Sequence, residues 1–162
     1  MKVAITGHTK GIGYGLYNFL SPTVKGFSRT NGYDINSFDD RCKIISESAD
    51  CDIFINNAHS NFGQIYMLLD LFREWKNLDK TIINIGSQVT EINLEANKHD
   101  LLNYQAEKLI LKQMSAKLQG YKCKVVYRSF GYVGTDTIKL KYPNFKNNDY
   151  ISVEEAIKII LS

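Results

Sequence analysis

The chain has 162 residues, with 20 lysines and arginines against 17 aspartates and glutamates and a formal net charge of +3. That length fits a single domain spanning residues 1–162 with room for a real core. The modest charge, spread along the chain, argues against a nucleic-acid binder, and no apolar run is long enough to span a membrane. The N-terminus carries no signal-peptide pattern, and the three cysteines, Cys42, Cys51 and Cys123, have neither metal nor redox spacing. Reduced thiols in a cytoplasmic protein are expected.

In chain order, Lys2–Thr6 reads as a strand, and Ile12–Leu20 as an amphipathic helix with Ile12, Leu16, Phe19 and Leu20 on its apolar side, closed by Ser21-Pro22. Thr23–Ser28 is a second strand. Ser37 caps a helix over Phe38–Ser48, with Asp39 and Asp40 in its first turn. Asp52–Asn56 is a buried strand, Phe62–Lys76 a helix and Thr81–Ile85 a strand. Leu102–Gln119 is a long helix ended by Gly120, and Lys122–Arg128 a further strand. Ser152-Val-Glu-Glu155 is a capping box that opens a last helix through Leu161. Strands apolar on both faces, alternating with helices, predict a parallel sheet covered on both sides: an α/β, three-layer, doubly wound Rossmann-type fold.

The most informative segment is Thr6-Gly7-His8-Thr9-Lys10-Gly11-Ile12-Gly13, a strand running into a glycine-rich turn and then a helix. Such a turn aims free backbone N–H groups and the positive helix end at one point, which suits a phosphate. The spacing is neither that of the common dinucleotide fingerprint nor that of a Walker loop. Thr-Gly-x-x-x-Gly-Ile-Gly before a helix resembles the signature of the short-chain dehydrogenase/reductase family. The later motifs resemble that family's in the same order, from Thr6 to about Thr135.

The resemblance implies a nicotinamide dinucleotide, with Gly7, Thr9, Lys10, Gly11, Ile12 and Gly13 around its phosphates. The second strand ends in Phe27-Ser28-Arg29-Thr30, without the carboxylate that would accept a ribose 2′-hydroxyl. Arg29 offers a forked, permanently charged donor for a 2′-phosphate, Ser28 and Thr30 add hydroxyls, and Lys10 adds a second cation. NADP(H) is therefore expected over NAD(H). Asp34-Ile35 resembles the pair that contacts the adenine, although Asp34 also reads as a turn residue. Asn56-Asn57-Ala58-His59 resembles an Asn-Asn-Ala-Gly motif in which Asn57 and Ala58 border the adenosine ribose. His59 replaces the glycine, and either faces water or touches substrate or cofactor. His8, His59 and His99 lack paired-ligand spacing, so no metal is expected.

Tyr104 and Lys108 stand at i and i+4, on one helix face, after a buried strand that ends near Ser87. A second such pair, Tyr142 and Lys146, has Pro143 between its members, which argues against a shared helix face. The order Ser87, Tyr104, Lys108 matches the family's catalytic order. The resemblance implies that Tyr104 exchanges a proton with a carbonyl or alcohol oxygen, that Lys108 favours the phenolate and binds ribose hydroxyls, and that Ser87 orients the reacting oxygen. Asn61 is the best match to the family's relay asparagine, and reads equally as a helix cap. Gly131, Val133 and Thr135 match a Pro-Gly-Thr-type segment at the nicotinamide end, with Phe130 in place of proline.

Three departures from the family pattern stand out. Too little chain separates Arg29 from Asp34 for the usual helix, so a strand is lost or reduced to a stub near Tyr33. The loop from Ser87 to Tyr104, with Glu91, Glu95, Lys98, His99 and Asp100, is polar. After the last helix no substrate-covering segment follows, which leaves 139–150 as the candidate lid and implies a fold truncated at its C-terminus, with a shallow site or one completed by a second subunit. The expected function is NADPH-dependent reduction of a small carbonyl substrate by a homodimer or higher homo-oligomer. The alternative is a catalytically weak NADPH sensor or interaction module.

Overall fold

The computed structural model describes residues 1–95, 99–146 and 149–162, and only the backbone of 99 and 100. Five strands form one parallel sheet: β1 (Val3–Thr6), β2 (Val24–Phe27), β3 (Ile53–Asn56), β4 (Thr81–Ile85) and β5 (Lys124–Arg128), in the spatial order β2-β1-β3-β4-β5. The helices are α1 (Gly11–Leu20), α2 (Phe38–Glu47), α3 (Gly63–Trp75), α4 (His99–Lys117), α5 (Asp136–Lys141) and α6 (Val153–Leu161). This is the three-layer architecture that the alternating pattern predicts, with no boundary moved by more than three residues.

Strand side chains alternate between the two faces, and each face has its own core. Ala4, Phe54, Ile82 and Val125 pack against Ile44 of α2, Leu68, Leu71 and Trp75 of α3, and Leu111 of α4. Val3, Ile5, Ile55, Ile83 and Ile85 pack against Leu16 of α1 and Ala156, Ile157 and Ile160 of α6. Because both faces are covered, these strands read as continuous apolar runs rather than as alternation.

The sheet ends at β2. Where a further strand would lie, Arg29–Asn31 makes a single 3-10 turn, with the Asn31 side chain accepting from the Ser28 N–H and donating to the Gly26 carbonyl. As the short spacing implies, no strand forms near Tyr33. The helix α5 was not expected: Thr135 caps it by accepting from the Ile138 N–H at 3.4 Å, and Asp136 begins its first turn. Asn61 does not cap α3. It sits in the left-handed region at φ 46°, Phe62 is the residue before the helix, and no side chain caps that end.

Candidate active site

All the loops of interest leave the carboxyl ends of the parallel strands, which is where ligands bind in open α/β sheets. Gly7 follows β1, Ser28 follows β2, Asn57 follows β3, Ser87 follows β4 and Phe130 follows β5.

The turn after β1 is built for close approach. Gly7 has φ +73°, and a Cβ there would stand 3.0 Å from the Ala58 backbone. A Cβ on Gly13 would lie 2.1 Å from the Gly7 carbonyl oxygen, so no other residue fits. Thr6 ties this turn to β3: its hydroxyl accepts from the N–H groups of Asn57 and Ala58, at 3.1 Å each. The Asn57 side-chain amide donates to the carbonyls of Thr6 and Gly7 at 3.1 and 3.2 Å. No side chain caps the start of α1, and no acid occupies its first turn. Its N–H groups and positive end are left for an anion.

An open groove of about 320 Å³ runs from this turn across the ends of β2 and β3. Ten of the predicted cofactor residues line it: Gly7, Thr9, Lys10, Ser28, Arg29, Thr30, Asp34, Ile35, Asn57 and Ala58. Phe27, Tyr33, His59 and Ser60 complete the lining. Lys10, Arg29 and Thr30 are exposed, and neither cation is paired with a carboxylate among the described residues. Glycines at the turn, an uncapped helix start and two unpaired cations fit a dinucleotide carrying phosphates at both ends of its adenosine.

The groove wall formed by Asp34 and Ile35 is held from behind. Arg41, 7 % exposed, donates to the carbonyls of Ile35 at 2.9 Å and Asn36 at 3.1 Å, and pairs with Asp70 at 2.7 Å. One guanidinium thus locks the Asp34–Asn36 segment to both α2 and α3. On the opposite side, Thr135 approaches the glycine turn, its Cγ2 lying 3.7 Å from where a Gly11 Cβ would be. Val133 is buried and bridges to Ile151, while Gly131 is exposed beside Gln88. Phe130 anchors this segment by burial in the α1–α6 core, and its carbonyl accepts from the Gln88 N–H at 2.8 Å. A buried aromatic ring replaces the rigid proline.

Ser87, Tyr104 and Lys108 converge beyond β4. The Lys108 ammonium lies 5.6 Å from the centre of the Tyr104 ring, and the Ser87 side chain interacts with the phenol. The Ser87 hydroxyl also accepts from the Val89 N–H at 3.2 Å and so starts the short 3-10 turn Gln88–Glu91. Gln105 clamps that turn to α4, donating to the carbonyls of Val89 at 2.6 Å and Ile92 at 2.7 Å. Lys98 lies outside the described residues, as do the side chains of His99 and Asp100, so the loop expectation is described only through Glu91 and Glu95.

Lys108 is 3 % exposed, and donates to the Gln64 side chain at 2.7 Å and the Ile85 carbonyl at 3.0 Å. Gln64 in turn donates to the carbonyls of Asn56 and Ile85 at 2.7 and 3.0 Å. Asn56 donates to Asn84, and Asn84 to Ser115, at 2.9 and 3.0 Å. This buried polar chain joins α3, β3, β4 and α4 beneath the site. The side chain that meets the lysine is therefore Gln64, while Asn61 is exposed on the preceding turn. Only an amide can accept from an ammonium and donate to two carbonyls at once. Gln64 was visible in principle as the polar member of the stripe Gln64, Leu68, Leu71 and Trp75.

His59 is the second residue whose place the sequence did not give. Its ring meets that of Tyr104 edge to face at 4.9 Å, and its Nε2 lies 2.6 Å from a Glu107 carboxylate oxygen. Because His59 also walls the groove, it joins the groove to the phenol. The residue is exposed, as a loop histidine is expected to be, and its ring packs on the phenol as well. Burial holds its imidazole below the usual histidine range, and the Lys108 charge adds to this against the opposing pull of Glu107. His59 is thus neutral at neutral pH despite its carboxylate partner.

Burial pushes the Lys108 ammonium down to about 8, with Glu107 opposing the shift. Burial also raises the Tyr104 phenol, with Glu107 adding to the rise and Ser87 opposing it. Both shifts run against a lysine-promoted phenolate in the protein without cofactor. No group of three His, Cys, Asp or Glu side chains suited to a metal occurs among the described residues.

The same architecture recurs in solved structures. A short chain dehydrogenase from Burkholderia cenocepacia J2315, in complex with NADP, superposes with a TM-score of 0.78 over 99 % of this chain and 84 % of its own, at 21 % identity. The chain has the short-chain dehydrogenase/reductase fold. A short-chain dehydrogenase/reductase of unknown function from Caenorhabditis elegans, with cofactor, superposes with a TM-score of 0.77 at 17 % identity, over 99 % of this chain and 86 % of that one. The 3-alpha-hydroxysteroid dehydrogenase from Pseudomonas sp. B-0831, complexed with NADH, gives 0.72 at 16 % identity, over 99 % and 88 %. No protein-family model and no curated protein matches the sequence. Within this fold the glycine turn, the groove and the Ser87, Tyr104 and Lys108 side chains share one edge of the sheet.

Proposed function

We propose that the chain is an oxidoreductase that interconverts a small carbonyl compound and its alcohol, using NADP(H) in preference to NAD(H). The observation that carries this reading is the meeting of Tyr104, Lys108 and Ser87 at the His59 end of the phosphate-ready groove. When bound, the reduced nicotinamide supplies the hydride. The N–H groups of the Gly7–Gly13 turn and the start of α1 hold the pyrophosphate. Arg29 and Lys10, with Ser28 and Thr30, hold the 2′-phosphate. Asp34 and Ile35 border the adenine, and Asn57 and Ala58 the adenosine ribose. The backbone of Gly131, Val133 and Thr135 flanks the carboxamide end.

Ser87 donates a hydrogen bond to the carbonyl oxygen and orients it. Tyr104, a phenol that keeps its proton at neutral pH, gives that proton to the oxygen as negative charge develops there. Lys108 has three N–H donors and spends two on Gln64 and Ile85, leaving one for a ribose hydroxyl. Gln64, rather than Asn61, supports the lysine from below. The free cysteines support a reducing, cytoplasmic setting, and no described helix is long and apolar enough to cross a membrane. Exposed Leu101, Leu109 and Ile110 on α4, with Tyr66 on α3, support self-association through these helices.

A second reading, a cofactor sensor with little turnover, draws on the deep engagement of Lys108 in the buried network. The test is a fluorescence titration with NADPH and NADH, followed by NADPH oxidation with a panel of ketones and aldehydes. Tighter NADPH binding and steady oxidation support the reductase. Tight binding with no oxidation across the panel favours the sensor, and no binding of either nucleotide refutes both.

A further inference from the structure

His59 and Glu107 lie beside Tyr104 and Lys108, and the chemistry proposed above leaves them without a role. Glu107 is three residues after Tyr104 and one before Lys108, and its side chain is only 12 % exposed. It does not turn outward as an ordinary helix-surface glutamate would. The 2.6 Å contact to His59 Nε2 draws it in over the site, and the His59 ring packs edge to face on the phenol. We infer that His59 and Glu107 form a positioning pair that keeps Tyr104 and Lys108 in their proton-bearing forms, and so poises the site to deliver a proton in carbonyl reduction. This inference rests on the reductase reading.

The pair acts through fixed charge. At neutral pH His59 is neutral, so its Nε2–H donates to the Glu107 carboxylate without cancelling the negative charge. That charge stabilises the buried Lys108 ammonium and opposes formation of a Tyr104 phenolate, both in the same direction. The other titratable neighbours cannot replace it. From β5, Tyr127 places its hydroxyl 3.4 Å from the Ser87 nitrogen, and burial raises its phenol. From the turn after β4, Glu91 is 3.5 Å from the Lys112 ammonium, which offsets its charge. On α3, Gln64 is uncharged. The neutral imidazole thus acts as a clamp: it holds the carboxylate over the site and the phenol ring in place without adding a second cation beside Lys108. In the related motif a glycine stands at this position, and glycine can do neither.

The test is a spectrophotometric titration of tyrosinate, taken as the difference between the wild-type protein and Tyr104→Phe so that Tyr104 is isolated from the other tyrosines. It needs neither substrate nor turnover. In Glu107→Gln the Tyr104 titration is expected to fall by about half a unit to one unit, and in Glu107→Asp to stay near wild type. The alkaline limb of alcohol oxidation should move with it. His59→Phe keeps a ring against the phenol but releases the carboxylate, and should shift Tyr104 in the same direction as Glu107→Gln. A wild-type titration in a folded Glu107→Gln protein, or equal shifts in the Gln and Asp variants, overturns the inference. Turnover by Tyr104→Phe instead overturns the reductase reading and leaves the titration interpretable.

Discussion

Arg29 and Lys108 carry opposite kinds of charge problem. Arg29 is exposed at the groove with no acidic partner among the described residues, so its charge is available to a ligand at little desolvation cost. Arg29→Ala should weaken NADPH binding roughly 10- to 100-fold in a fluorescence titration and leave NADH nearly unaffected. Equal losses for both would remove the 2′-phosphate contact. Lys108 is buried, and its folded pKa of about 8 lies below the ordinary 10.5. Between these two values the unfolded chain holds a proton that the folded protein has released, so stability rises with pH across that window. Relative to Lys108→Met, the wild type should gain on the order of 3 kcal/mol from pH 8 to pH 10.5 in denaturant unfolding. A pH-independent difference between the two would mean that the ammonium is not desolvated. The place of Arg29 at the groove was legible because it lies just after the second strand. The Lys108 shift was not, since burial depends on Gln64, Ile85 and the packing of α4 together.

At the scale of elements, local signals fixed most of the order. Ser37 and Ser152 cap α2 and α6 as their sequences predict, with Ser37 accepting from the Asp40 N–H and Ser152 from the Glu155 N–H. The helix α5 escaped notice because its cap, Thr135, also matched a cofactor motif and its two turns are too short for periodicity. The clamp by Gln105 was equally hidden: it bridges 13 and 16 positions of chain to carbonyls whose direction no side-chain pattern encodes. That clamp fixes the Ser87 turn against the helix that carries Tyr104. Gln105→Leu should therefore lower kcat about tenfold or more while leaving the NADPH dissociation constant within about twofold, because positioning errors near 1 Å can cost 10²-fold. Steady-state kinetics beside a binding titration separates the two. A parallel loss of cofactor affinity would place the role of Gln105 in the fold as a whole.

For the whole molecule, the parallel sheet itself makes the site. Five strands that all point the same way bring the turns after β1 to β5 to one edge, although they are far apart in sequence. That edge was predictable from alternating strands and helices. Its contents were only partly so: the groove residues stood out by type and order, while Gln64, His59 and Glu107 came into the site through contacts between helices and loops. In the proposed reaction the groove and the phenol act together, with binding resting on the first and proton transfer on the second. Tyr104→Phe separates them most directly, measured by NADPH titration and by NADPH oxidation with a carbonyl substrate that the wild type turns over. The expected result is an NADPH dissociation constant within about threefold of wild type and a rate lowered by at least about 10²-fold. A variant that keeps the wild-type rate would contradict it.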